Sequence, residues 1–254
     1  MCLVWITSSF KAMILFYILA LISEIIGTVG GFGSSVFFVP LATFFFEPKI
    51  VLGLTALLHI FSNLSKLILF RKHIDFKIFK LFGIPGIIGV SIGAFASVYL
   101  IFTYGALMLG IFLLAFSLLF LLKPKLEITP TPKNAIAGGS IAGFLAGLIG
   151  TGGAVRGAAM AAYNLEKSAF VATSAAIDMG VDVTRAIIYL GNDYLQAKEY
   201  SYIPMLIVVS FVGSVIGKKL LQRISQEMFR KIVLVLIGLI GIVSIIHYLY
   251  SSST

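Results

Sequence analysis

Ser174, Asp178, Asp182 and Arg185 fall at spacings of 4, 4 and 3 inside the apolar segment 167–190, so they share one helix face. Asp178 and Asp182 are one turn apart. Like charge and burial both oppose ionising the two together, which suits the pair to holding a proton. Thr55, His59, Asn63 and Lys66 repeat the spacing 119 residues earlier. Imidazole is the side chain that ordinarily exchanges protons in the neutral range, which makes His59 a competing carrier. Lys66 and Arg185 end the two stripes with positive charge. The chemistry open to such a set is proton transfer and anion binding. His59, Asp178 and Asp182 are the candidate proton carriers. Lys66, Asn63, His59 and Arg185 are candidate ligands for an anion.

Each stripe is preceded by a glycine cluster. Gly31-Phe32-Gly33-Ser34-Ser35 stands before the first and Gly150-Thr151-Gly152-Gly153 before the second. The same register carries on to Pro85 and Pro204 and to Ser91 and Ser210. A glycine break inside an apolar run must be buried in protein or line a wet cavity, because lipid cannot satisfy its peptide groups. It also exposes a helix N-terminus whose N–H groups and dipole attract anions. The amides around Gly31, Gly33, Ser34 and Ser35, and those around Gly150, Gly152 and Gly153, are therefore candidate anion ligands. Arg156 follows the second cluster and strengthens such a site, or pairs with Asp178 or Asp182 instead. Close helix packing is the competing role for the glycines, and snorkelling to the interface the competing role for Lys66 and Arg185. Glu24 is one more acid in an apolar run, on the first broken pair.

These residues are carried by membrane helices. The 254-residue chain is 59% hydrophobic and 11% charged, with a mean hydropathy of +1.08. Several runs reach the length needed to cross a bilayer, which excludes an ordinary soluble core. The net charge of +9 does not indicate nucleic acid, because basic residues gather in short loops between apolar runs. Cys2 is the only cysteine, so no internal disulfide and no cysteine metal cluster is expected. No secretory signal is expected at the N-terminus. There is no HExxH, GxSxG or phosphate-binding P-loop, and no cofactor or metal is expected.

The chain reads as an N-terminal membrane repeat over 1–122, a linker over 123–133 rich in lysine and proline, and a C-terminal repeat over 134–254. Residues 10–46 and 134–163 are each expected to be a helical hairpin broken at its glycines, re-entrant or fully crossing. Ser34 or Ser35 is expected to cap the second piece of the first hairpin. Three transmembrane helices follow each hairpin, giving six full spans. The loop 71–80 has four basic residues and one acidic, and its partner 190–199 has one basic and two acidic. Opposite bias in equivalent loops predicts inverted repeats, a cytoplasmic linker and both termini outside. The fold class is thus an all-α polytopic membrane protein with two inverted repeats.

Gly31-Phe32-Gly33-Ser34-Ser35 followed by Pro40, with Gly150-Thr151-Gly152-Gly153 opening the second half, resembles the paired GxGGG…P signatures of the TauE/SafE family, sulfite exporter-like permeases. The resemblance covers essentially the whole chain. Ser34 and Ser35 interrupt the first glycine run, and Ala159 stands where the second copy would carry proline. The resemblance implies export or uptake of a small anion such as sulfite, a sulfonate or a related organosulfur compound, in a prokaryotic plasma (inner) membrane. The residues themselves add proton coupling. The expected partners are the anionic substrate, protons and the lipid bilayer, and a homo-oligomer is left open. A membrane-embedded enzyme using Asp178 and Asp182, or a structural membrane subunit, are the alternative readings.

Overall fold

A computed structural model describes residues 10–31, 33–99, 105–129, 131–149 and 152–251. The glycine-cluster members Phe32, Gly150 and Thr151, and the turn expected near Phe102-Thr103, lie outside these. The described residues are almost entirely helical, with no strand among them.

The chain begins with α1 (Phe10–Gly30) and α2 (Ser35–Ala42), followed by α3 (Pro48–Phe70). A 3-10 turn, Arg71–His73, leads to the short α4 (Phe76–Ile78), which runs through the π-helical stretch Phe79–Gly83 into α5 (Ile84–Tyr99). Pro85 therefore lies inside a continuous helical run that starts at Phe76, some two turns earlier. Helix α6 (Gly105–Leu122) ends the first half. The second half holds α7 (Pro132–Ile149), α8 (Gly152–Ala162), α9 (Lys167–Gly191), α10 (Ile203–Arg223) and α11 (Gln226–Ser251).

Local sequence explains the boundaries. Pro48 opens α3 after an extended Glu47, since proline lacks the N–H that a first helical turn leaves unused. The Glu166 carboxylate accepts the N–H groups of Ser168 and Ala169 and caps α9. Between α1 and α2 the chain turns at Gly31 and Gly33, whose φ values of +73° and +99° favour glycine. One expectation fails at this point. Ser34 holds the N-cap position of α2, but its side chain makes no capping bond. Its φ/ψ are helical, and its hydroxyl bonds across the fold instead.

By length and composition, five helices among the described residues can cross a membrane: Ala12–Gly30, Lys49–His73, Phe76–Gly93, Glu199–Arg223 and Gln226–Ile246. Helix α1, read as one arm of a hairpin, is thus long enough to cross by itself. Helix α9 is 25 residues long but carries both aspartates and Arg185.

Contacts fix the directions of the helices. Phe16 of α1 meets Phe38, Phe45 and Phe46, while Gly27 lies against Ser34, so α2 doubles back along α1. Tyr163 beyond α8 donates to the Asn134 carbonyl at the start of α7, so α8 doubles back likewise. Helices α3 and α9 run antiparallel, joined by Gly53 on Leu195, Asn63 on Asp182 and Asp75 on Thr173. Helix α1 runs parallel to α10, and α5 parallel to α7. The latter two touch backbone to backbone. A Cβ at Gly139 would stand 2.1 Å from the Phe82 carbonyl oxygen, and one at Gly143 would stand 2.0 Å from that of Gly86.

The two ends of the bundle differ in charge. Arg230 donates to the carbonyls of Pro124 and Leu126, Lys218 to that of Leu69 and Lys167 to that of Ile224. These bonds gather the 71–80, 123–129 and 218–230 segments at one basic end. The 192–202 loop lies at the other end, where Lys49 sits over the Tyr194 ring and Tyr202 packs on Phe16 and Phe46. The α1–α2 pair opens toward this second end, and the α7–α8 pair toward the basic end.

Candidate functional site

Helix α3 turns His59, Ser62, Asn63 and Lys66 toward the interior, all at most 7% exposed. Three elements meet them: α1, the start of α2, and α9. Spacings of three and four along α3 keep these side chains on one face.

Glu24 of α1 is fully buried and forms an ion pair with Lys66 at 2.9 Å. Its carboxylate also accepts from the hydroxyls of Ser62 (2.6 Å), Ser34 (2.8 Å), Thr28 (3.1 Å) and Ser214 (3.3 Å). Lys66 donates in addition to Ser62 at 2.7 Å. A buried charge costs several kcal/mol unless paired and hydrogen-bonded, and here both conditions are met. The pair fastens α1, the α2 start and α10 onto α3.

Ser34 links this group to a second one. Its Oγ lies 3.2 Å from His59 Nε2, and His59 Nδ1 lies 3.4 Å from the Asp182 carboxylate of α9. Asn63 donates to the same carboxylate oxygen at 2.9 Å. Arg185, one turn further along α9, faces the other oxygen at 3.8 Å. A continuous polar path therefore runs from Glu24 through Ser34 and His59 to Asp182, crossing the first hairpin and both striped helices.

Arg156 of α8 is 4% exposed and meets Asp178 with both terminal nitrogens on both carboxylate oxygens. Such two-pronged pairs are the strong form of the contact. Asp178 and Asp182 share a helix face by spacing, yet their closest partners differ: Arg156 for one, and His59, Asn63 and Arg185 for the other. Among the described residues no cluster of His, Cys, Asp and Glu is arranged to hold a metal.

The sequence-selected residues thus divide. His59, Asn63, Lys66, Asp182, Arg185 and Ser34 come together, and Arg156 joins Asp178 beside them. Gly33 lies close by, a Cβ there standing 3.6 Å from the His59 ring. Gly31 packs instead on Phe170 and Val171. Ser35 begins α2, and Gly152 and Gly153 begin α8. Lys66 does not snorkel, being 3% exposed. Thr55 and Ser174 bond to the Val51 carbonyl and the Met160 sulfur, outside the network. Glu24, Thr28, Ser62 and Ser214 were not selected. The counterpart of Glu24 in the second half is Gly143, so a search for positions polar in both halves passes over it. The available signal was the Glu24/Thr28 and Ser62/Lys66 pairs, each spaced by four.

Comparison with known proteins bears on what such a site is for. The family model described as "Sulfite exporter TauE/SafE" matches residues 15–244. The "Probable membrane transporter protein YunE" of Bacillus subtilis (strain 168) is 26% identical over 264 residues, covering 88% of this chain and 96% of that protein. No solved structure matches. With the family model spanning nearly the whole of an all-helical, apolar chain, this protein is a multi-pass integral membrane protein belonging to the sulfite exporter TauE/SafE family of membrane transporters.

Proposed function

We propose that the chain is a secondary transporter for a small anion, sulfite or a sulfonate or a related organosulfur compound, and that it is coupled to protons. The observation that carries this reading is the buried path from Glu24 through Ser34 and His59 to Asp182. It joins a hairpin tip to both charged helices at a depth where ionisable groups are otherwise rare. The family supports the substrate class.

In this reading the anion binds between the hairpin tips and the two striped helices. Backbone amides around Gly31, Gly33, Ser34 and Ser35, and around Gly150, Gly152 and Gly153, face it. His59, Asn63, Lys66, Arg156 and Arg185 supply polar and positive groups. His59, Asp178 and Asp182 are the proton-bearing set. Residues 1–122 and 134–254 act as inverted repeats about the 123–133 linker, which faces the cytoplasm. The reading is supported by the hairpins opening toward opposite ends and by the antiparallel pairing of α3 with its counterpart α9. Alternating access then follows from one unit moving against the other around a fixed site.

The test is uptake into proteoliposomes under an imposed pH gradient, screened over sulfite, sulfoacetate, taurine and simple sulfonates. Accumulation of a subset is the expected result. Gly33→Leu and Gly152→Leu should abolish it, because a side chain blocks backbone approach to the anion and at Gly33 demands a strained φ. Normal flux in both folded variants removes the hairpin tips from the site.

A further inference from the structure

Resting on the proposed transport function, we infer that His59 is the group that carries the coupling proton, and that one proton moves with each monoanion, so that transport is electroneutral.

Hydrogen-bond direction at Ser34 is the first support. A carboxylate only accepts, so the hydroxyl proton of Ser34 goes to Glu24 at 2.8 Å. Toward His59 Nε2, at 3.2 Å, Ser34 then offers a lone pair, and Nε2 carries a hydrogen. The other ring nitrogen faces the Asp182 carboxylate at 3.4 Å, on an oxygen that already accepts from Asn63. A singly protonated ring sets its Nδ1 lone pair against that carboxylate. A doubly protonated ring donates on both sides. The ring therefore has one proton held by Ser34 and a second place, at Nδ1, that gains from Asp182 when filled.

The charges around the ring supply the stoichiometry. Ser34, at the start of α2, and Asp182 of α9 touch the ring; joined to these two are Glu24 of α1 with its partner Lys66, and Asn63 and Arg185, while one turn before Asp182 on α9 Asp178 pairs with Arg156 of α8. Helix α10 contributes the Ser214 hydroxyl, while its Lys218 lies toward the basic end on Leu69 and Phe70. Three carboxylates thus stand against three permanent cations, each acid beside its own partner. With a neutral ring the set sums to zero, and with an imidazolium it sums to one positive charge. Net charge at this depth is costly. The charged ring and a bound monoanion therefore stabilise one another, and by linkage each raises the affinity for the other equally.

The other acids are poorer carriers. Protonating Asp178 leaves the buried guanidinium of Arg156 without its carboxylate, and protonating Glu24 does the same to Lys66.

Two measurements test this. In nanodiscs, 15N-histidine spectra, with His59 assigned by its loss in His59→Gln, report the ring without any anion. We expect a doubly protonated ring with Nδ1 donating to a carboxylate, and a loss of that species in Asp182→Asn. A ring that stays singly protonated across the acidic range, or one indifferent to Asp182→Asn, overturns the assignment. In proteoliposomes, ethanesulfonate keeps a single charge throughout. Its flux should follow the pH gradient, ignore a potassium-diffusion potential, and lose its pH drive in His59→Gln. Flux driven by the potential overturns the stoichiometry. If no anion of the transport screen moves while the spectra behave as expected, the transport reading fails and the proton site at His59 stands.

Discussion

Replacing Lys66 with Met removes the only cation in contact with Glu24 among the described residues while keeping most of the volume. Both side chains lie out of solvent, at 4% and 0% exposure, so water cannot take over the vacated contact. Breaking a buried ion pair by deleting one partner costs roughly 3–5 kcal/mol. The lower end of that range applies. The hydroxyls of Thr28, Ser34, Ser62 and Ser214 still reach the carboxylate, and charge-accepting hydrogen bonds of this kind contribute about 1.5–3 kcal/mol each. A loss near 3 kcal/mol lowers the unfolding midpoint by about 6–12 °C for a chain of this length. The double variant Glu24→Gln/Lys66→Met removes both charges and retains an acceptor for the hydroxyls. It should recover most of the loss, giving an interaction of roughly 2 kcal/mol in a double-mutant cycle. The assay is thermal unfolding of the purified protein in one detergent, followed by tryptophan-independent light scattering and by circular dichroism. A Lys66→Met midpoint equal to that of the parent, or a double variant whose loss is the sum of the two single losses, refutes the argument.

The packing and the charge pattern set three further outcomes. With Cys2 replaced by Ser, single cysteines at Lys77 and Asp193 should react with an impermeant thiol reagent from opposite sides of the membrane, since the two positions lie at opposite ends of the bundle; labelling from one side removes the topology. Gly139→Leu should sharply reduce folded yield, because its Cβ meets the Phe82 carbonyl at 2.1 Å and the backbones must part, at a cost of at least about 1–3 kcal/mol. Gly191→Ala, with open space around its Cβ, should change stability by no more than about 0.5 kcal/mol. Equal behaviour of the two would remove the close α5–α7 contact.

Much of this molecule is written in local sequence. Apolar runs of bilayer length can only be helices there, because every backbone group must bond within its own segment. The same local physics places the breaks at Gly31 and Gly33, where positive φ is needed, and the start of α3 at Pro48. Spacings of three and four put His59, Asn63 and Lys66 on one face of α3, and Asp178, Asp182 and Arg185 on one face of α9. What spacing could not supply is the partner of each group. Asp178 and Asp182 look like a pair along the chain, yet Arg156 of α8 claims the first and His59 and Asn63 of α3 the second. Glu24 stands out as an acid in an apolar run, but nothing near it in sequence says that Lys66, 42 residues away, will neutralise it. Ser34 carried the signature of a helix cap and became a bridge between Glu24 and His59. In each case the decision is electrostatic and non-local. A buried charge takes whichever opposite charge the packing of other helices brings within reach, and that depends on how α1, α3, α8 and α9 cross, which no stretch of sequence encodes alone.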